Sequence, residues 1–148
     1  MKLPRYQLKS SDTLWTFEFI SEGPRGKIHK IIQYTETNLK DVYNLAFGDK
    51  DRKTGKIDDM IISNNSDSEK VLATVIASVY AFTDKYPDSY IYATGSTTAR
   101  TRLYRMGISK YLDEVRQDFE IYGEINDAWE YYKKDIDYLS FLIKRKLK

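Results

Sequence analysis

The chain of 148 residues has no cysteine and a single histidine. Without thiols it can form neither a disulfide nor a thiolate metal site, and His29 alone cannot build a histidine-based zinc cluster. Long apolar runs are missing too. No segment approaches the ~20 apolar residues of a membrane span, and the N-terminal MKLPRYQLKSSDTLW lacks the apolar centre of a signal peptide. A cytoplasmic protein with no membrane partner is the expectation. Charge of one sign is scarce: 24 Lys and Arg against 22 Asp and Glu leave a net +2, so no global field draws the chain to nucleic acid, and any basic site must be local. Neither a Walker loop nor a G-x-G-x-x-G motif occurs, which removes the commonest nucleotide-binding signatures.

What the chain does have is aromatic residues. Thirteen tyrosines and six phenylalanines favour strands, and the length suits one domain with one core, spanning 1–148. In TLWTFEFIS, Trp15, Phe17 and Phe19 alternate with polar residues, which predicts a half-buried strand. The glycines and proline of EGPRGK (22–27) predict a turn, and KIHKIIQYT a returning strand in which Ile28, Lys30 and Ile32 share a face and His29 points away. DVYNLAFGD and KIDDMIIS complete an antiparallel meander of about four strands.

From Asn64 the period changes. Ser66 and Glu69 have capping-box spacing, and Val71, Leu72, Val75, Ile76, Val79 and Phe82 recur at helical intervals until Pro87, with a small-residue ridge of Ala73, Ala77 and Ala81. SYIYATG predicts a strand, and a second helix follows, ended or kinked at Gly107, with a restart at Ser109. DFEIYGEIND is a strand candidate, and DYLSFLIKRK reads as a strand or a last helical turn. The predicted class is α+β: a meander, then helix, strand, helix, strand, strand on one mixed sheet.

The stretch IYATGSTTARTRLYRM (91–106) carries the main candidate site. A turn of Gly95, Ser96, Thr97 and Thr98 between a strand and a helix offers backbone amides and hydroxyls at the positive end of the helix dipole, where phosphates and carboxylates bind. Capping by Ser96 or Thr97 with a turn at Gly95 accounts for the same residues. At ~100° per residue, Ala99, Leu103, Met106 and Gly107 share the expected buried face. That wheel puts Arg105 in solvent, Arg102 on a far flank, and Arg100, beside Tyr104, nearest the turn. The expected ligand set is therefore Gly95, Ser96, Thr97, Thr98, Arg100 and Tyr104, with nucleic acid a weaker reading of the same local positive charge. A second acidic segment, GDKDRKTGKIDD, fails the calcium-loop pattern at Lys53 and Gly55, and its lysines and arginine repel a divalent ion, so no metal is expected.

The motifs NLAFGD, SNNSDSEKVLATV, AFTDKYP, YATGSTTARTRLYRMGI and FEIYG resemble, over nearly the whole chain, a family of small bacterial proteins designated only as a domain of unknown function. That resemblance implies no reaction. The order of elements is also similar to the GNAT superfamily of N-acyltransferases, and Ser96, Ala99, Gly107 and Ile108 keep the spacing of its second helix. This likeness implies an acyl-CoA-dependent N-acyltransferase, with Leu103 standing where that superfamily often has its tyrosine general acid and Tyr104 one place later. Acyl-CoA binders, however, open the first helix with a basic, glycine-rich loop, whereas NNSDSEK places Asp67 and Glu69 there, and like charges repel a pyrophosphate. No cofactor is expected. A third reading is an interaction module or homodimer pairing through Trp129, Tyr131 and Tyr132.

Overall fold

The computed structural model describes residues 4–58, 64–95 and 98–147. Among them run β1 (Lys9–Ser10), β2 (Thr16–Gly23), β3 (Gly26–Glu36), β4 (Val42–Lys50) and β5 (Ile57–Asp58). Then follow α1 (Ser68–Lys85), β6 (Tyr90–Ala93), α2 (Thr98–Lys110), α3 (Leu112–Val115), β7 (Phe119–Ile125), β8 (Ala128–Tyr131) and β9 (Ser140–Arg145). These nine strands and three helices make an α+β fold on an open, mostly antiparallel mixed sheet, ordered β1-β2-β3-β4-β6-β9-β7-β8 with β5 beside β4. β4 and β6 pair in parallel. By contact the chain divides into two compact units, Met1–Tyr34 with Ala46–Lys85 and Thr35–Leu45 with Tyr86–Lys148.

In the first unit β2 and β3 form the predicted hairpin, with Gly23 opposite Gly26 around a two-residue turn. Gly26 has φ +88°, which a side chain would resist. At Gly23 the constraint is space, because a Cβ would overlap the carbonyl of Asn65. Phe17, Phe19, Ile32 and Tyr34 are buried on one face and His29 is exposed, as alternation predicts, but Ile31 on the His29 side is buried as well. Tyr34 stacks on Phe82 of α1 at 4.2 Å between ring centroids and shares a hydrogen bond of 2.8 Å with Ser78. The start of α1 falls later than the capping-box spacing predicts. The Val71 N–H donates to the Asp67 carbonyl at 2.9 Å, so Asp67 takes the cap position, and Ser66 turns to φ 59° instead. The Asp67 carboxylate accepts from the hydroxyls of Tyr6 (2.6 Å) and Ser21 (2.5 Å), tying the N-terminal segment and β2 to the head of the helix. Buried Thr74, Ser78 and Thr83 on α1 donate back to carbonyls of their own helix, which satisfies their hydroxyls at no cost in partners. Of the strand expected over 56–63, β5 covers Ile57–Asp58, and 59–63 lie outside the described residues.

In the second unit β6, β9, β7 and β8 lie side by side, with Val42–Leu45 of β4 along β6. Within DYLSFLIKRK (137–146), Ser140–Arg145 form the strand β9, which fits between β6 and β7. One face of this sheet carries Ile91, Ala93, Phe119, Ile121 and Phe141, all buried. The helices add Tyr104, Tyr111, Leu112 and Val115 to the buried set. β8 was not foreseen. It is reached through Asn126 and Asp127, both at positive φ, which is the two-residue turn whose twist suits a hairpin.

The buried face of α2 corrects the helical-wheel expectation. Met106 is 52% exposed and Ala99 is exposed, Leu103 is half-buried, and the inward positions are Tyr104 and Gly107. Tyrosine has a large apolar body, and Tyr104 with Tyr111 outweighs the smaller stripe of Ala99 and Met106. The helix is therefore rotated from the expected setting, and it runs through Gly107 to Lys110 before α3 begins at Leu112.

Candidate functional site

β6 ends at Ala93, and the chain turns through Thr94 and Gly95 towards α2. Thr94 donates its hydroxyl to the carbonyl of Leu139 at 3.0 Å, stitching this turn to the segment ahead of β9. On the other side Tyr132 anchors α2, donating its hydroxyl to the Arg105 carbonyl at 3.1 Å and meeting the Ser109 hydroxyl at 2.6 Å. Burial pushes the Tyr132 phenol up, against the downward pull of Ser109 and the Arg105 charge. Between turn, helix and the segment ahead of β9 lies a cleft of about 800 Å³, lined by Thr94, Gly95, Thr98, Thr101, Arg102, Arg105 and the stretch Asp137, Tyr138 and Leu139.

Its charge is set by two guanidiniums and one carboxylate. Arg105 is ion-paired with Asp137, the arginine side chain 24% exposed and the aspartate 91%. Arg105 is thus drawn into the cleft rather than standing in open solvent, because rotation of α2 about Tyr104 turns it towards the 132–139 segment. Arg102 is exposed on the same side. Tyr138 closes the far wall; its hydroxyl donates to Glu130 at 2.8 Å, and burial together with that carboxylate raises its pKa.

The structure brings only part of the expected ligand set together. Gly95 and Thr98 line the cleft. The Gly95 N–H, expected to be open to an anion, donates to the Thr101 hydroxyl at 3.0 Å. Ser96 and Thr97 lie outside the described residues, as does the side chain of Arg100, whose backbone sits in the first turn of α2. Tyr104 is 6% exposed and packs into the core. Arg102, Arg105 and Asp137 are the residues that sequence reasoning passed over. Correct placement of the buried helix face would have found the arginines, but nothing local marks Asp137 as the partner of a residue 32 positions earlier.

Elsewhere, the acidic loop after β4 is a turn, as its sequence suggests. Asp51 accepts the backbone amides of Lys53 and Thr54 at 2.7 and 3.1 Å, and Gly55 takes φ +71°. Among the described residues no group of three or more histidine, aspartate or glutamate side chains is placed to hold a metal ion. Nor is any helix among them long and apolar enough to cross a membrane. A second cleft of about 810 Å³ in the first unit holds the Lys50–Glu18 ion pair (2.6 Å), His29, and Lys70 over the ring of Tyr6 at 4.2 Å. Lys50 and Lys70 therefore already face a carboxylate and an aromatic ring. Of the residues expected at a dimer face, Trp129 and Tyr131 are exposed at 42% and 68%, whereas Tyr132 is 3% exposed and belongs to the core.

Compared with known proteins, residues 2–146 match the model of a family of unknown function, DUF6934. No curated protein and no solved structure matches the chain.

Proposed function

Because the chain belongs to that family, whose function is unknown, we propose its role from the cleft: the second unit binds a phosphate-bearing or other anionic ligand between Thr98, Arg102 and Arg105. The observation that carries this is the Arg105–Asp137 pair. A partly buried guanidinium is held by a carboxylate that is 91% exposed, so the carboxylate occupies the place a ligand anion would take. An exposed ion pair contributes only ~0–1 kcal/mol, so exchanging Asp137 for a phosphate with two or three acceptor oxygens costs little. Since the Gly95 amide is already bonded to Thr101, affinity rests on the arginines.

Calorimetric titration with inorganic phosphate, pyrophosphate, nucleotides and short RNA tests this. Arg105→Ala and Arg102→Ala should each weaken the best anion about tenfold, as expected for the loss of a charge-assisted hydrogen bond. Asp137→Asn should tighten it several-fold by removing the internal competitor, an outcome that a purely structural ion pair does not give. Affinities unchanged in both arginine variants would overturn the reading.

The acyltransferase alternative rests on the order of elements and the Ala99 to Gly107 spacing read from the sequence. Against it stands the Asp67 carboxylate at the head of α1, bonded to Tyr6 and Ser21 where a pyrophosphate would need amides and cations. Titration with acetyl-CoA at millimolar concentration separates the two readings.

A further inference from the structure

The face of the second unit's sheet opposite its core is a row of aromatic side chains. Cross-strand register places Tyr92, Leu142, Tyr122 and Tyr131 in one line across β6, β9, β7 and β8. The next line holds Ser140, Glu124 and Trp129. Tyr131, Trp129 and Tyr90 are 68%, 42% and 37% exposed. Tyr122 and Tyr131 stack at 5.0 Å.

Two features give this face a chemistry. First, Tyr92 and Trp129 meet edge to face, 6.2 Å apart at 74°. β9 and β7 separate their strands, so their backbones stand roughly 14 Å apart at ~4.8 Å per strand. The rings therefore lean over the residues between them, which explains why Ser140, on a face that carries exposed aromatic residues, is 1% exposed. Second, that same strip holds a carboxylate. Glu124 is the direct cross-strand neighbour of Trp129, is half-buried, and is fixed by a 2.7 Å hydrogen bond from the Ser140 hydroxyl. A second carboxylate, Glu120, accepts from the Tyr122 hydroxyl at 3.0 Å. Lys144 lies on this face too, directly opposite Tyr90 and Glu120 in register, with its ammonium over the Tyr90 ring and donating to the carbonyl of Pro87.

We infer that this face is a docking surface for a basic segment of a partner protein, with an arginine or lysine side chain seated against Tyr92 and Trp129 and paired with Glu124. Two aromatic rings at a right angle beside a fixed carboxylate attract a guanidinium or ammonium through ring quadrupole and charge together. The stacked Tyr122 and Tyr131 supply contact area of the rigid, amphipathic kind that interfaces favour. Single-stranded nucleic acid also stacks on aromatic sheets, but it needs cations along the platform; here Lys144 is turned to Tyr90 and Pro87, and Glu124 beside Trp129 repels phosphates. The surface is independent of the anion cleft.

The test is calorimetry of the full chain with a hexa-arginine peptide, a hexa-lysine peptide, a hexa-glutamate peptide and a short single-stranded RNA, with light scattering of the protein alone. Saturable binding of a basic peptide is expected, weakened about tenfold by Glu124→Gln and more by Trp129→Ala, and unaffected by Asp137→Asn. Glu124→Gln keeps an acceptor for Ser140, so the sheet stays intact even if Trp129→Ala loosens β8. The inference is overturned by any of four results: no saturable binding of either basic peptide, binding indifferent to Glu124→Gln, preference for RNA or the acidic peptide, or a dimer that Trp129→Ala dissolves.

Discussion

Lys30 sits on the inward face of β3, two places from Ile28 and Ile32, and is 5% exposed. A lone ammonium there would cost several kcal/mol of lost hydration, and the ion pair with Asp49, whose side chain is 13% exposed, offsets that loss. Sequence alternation assigned the face correctly but could not name the partner, because Asp49 lies on another strand and looks like one more charge in an acidic turn. Such pairs are asymmetric under mutation. Asp49→Ala should destabilise the protein by about 3 kcal/mol in urea unfolding, since it takes a carboxylate away from a buried ammonium, whereas Lys30→Met with Asp49→Leu together should recover much of the loss. A cost for the double variant equal to the sum of the two single variants would show that the pair acts as two separate anchors.

β7 owes its place to an absent side chain. A Cβ at Gly123 would overlap the ring of Tyr138, which packs against Phe141 and Tyr132. Gly123→Ala should therefore cost about 3 kcal/mol in urea unfolding and loosen the Asp137–Leu139 wall of the cleft, whereas Gly55→Ala meets only the Lys50 side chain at an ordinary 3.9 Å and costs the strain of its positive φ. The hairpin, α1 and α2 were legible because their periods differ and their ends carry glycine, proline and capping residues. β8 was not, because its turn uses Asn126-Asp127 without the glycine that usually announces one. The inward face of α2 was misread for a different reason: Tyr104 was counted as a ligand residue when its ring is core. That rotation also brings Arg102 and Arg105 to the cleft, where the wheel had set them apart from the turn. The turn at Gly95 was found and the helix after it was found, but the wall supplied by 137–139 arrives through the tertiary fold, which local patterns do not report.

For the molecule as a whole, five of the thirteen tyrosines act together. Tyr6, Tyr43, Tyr122, Tyr132 and Tyr138 all have raised pKa values, burial being the first cause for each, with the carboxylates Asp67, Glu120 and Glu130 adding to it at Tyr6, Tyr122 and Tyr138. The unfolded chain ionises its phenols near pH ~10 while the folded chain keeps these five protonated. The native state then binds more protons, so stability is intact below about pH 10 and falls as pH rises beyond it. Urea midpoints measured from about pH 8 to 11.5 should decline steeply in the upper half of that range, and Tyr138→Phe should make the decline shallower. A profile that stays flat, or a slope that Tyr138→Phe leaves untouched, would contradict this. The strand order bears on biosynthesis as well. β9 follows β6, β7 and β8 in sequence, yet it lies between β6 and β7, so a nascent polypeptide leaves both of those strands half-paired until residue 145 has emerged. Chains fold from their N-terminal parts as they are made, and contacts between distant positions form slowly. The first unit can assemble during translation, whereas the sheet that frames the cleft and the aromatic face must wait for residues 140–145, so a chain that stops short of them presents open strand edges by which chaperones and proteases can recognise it.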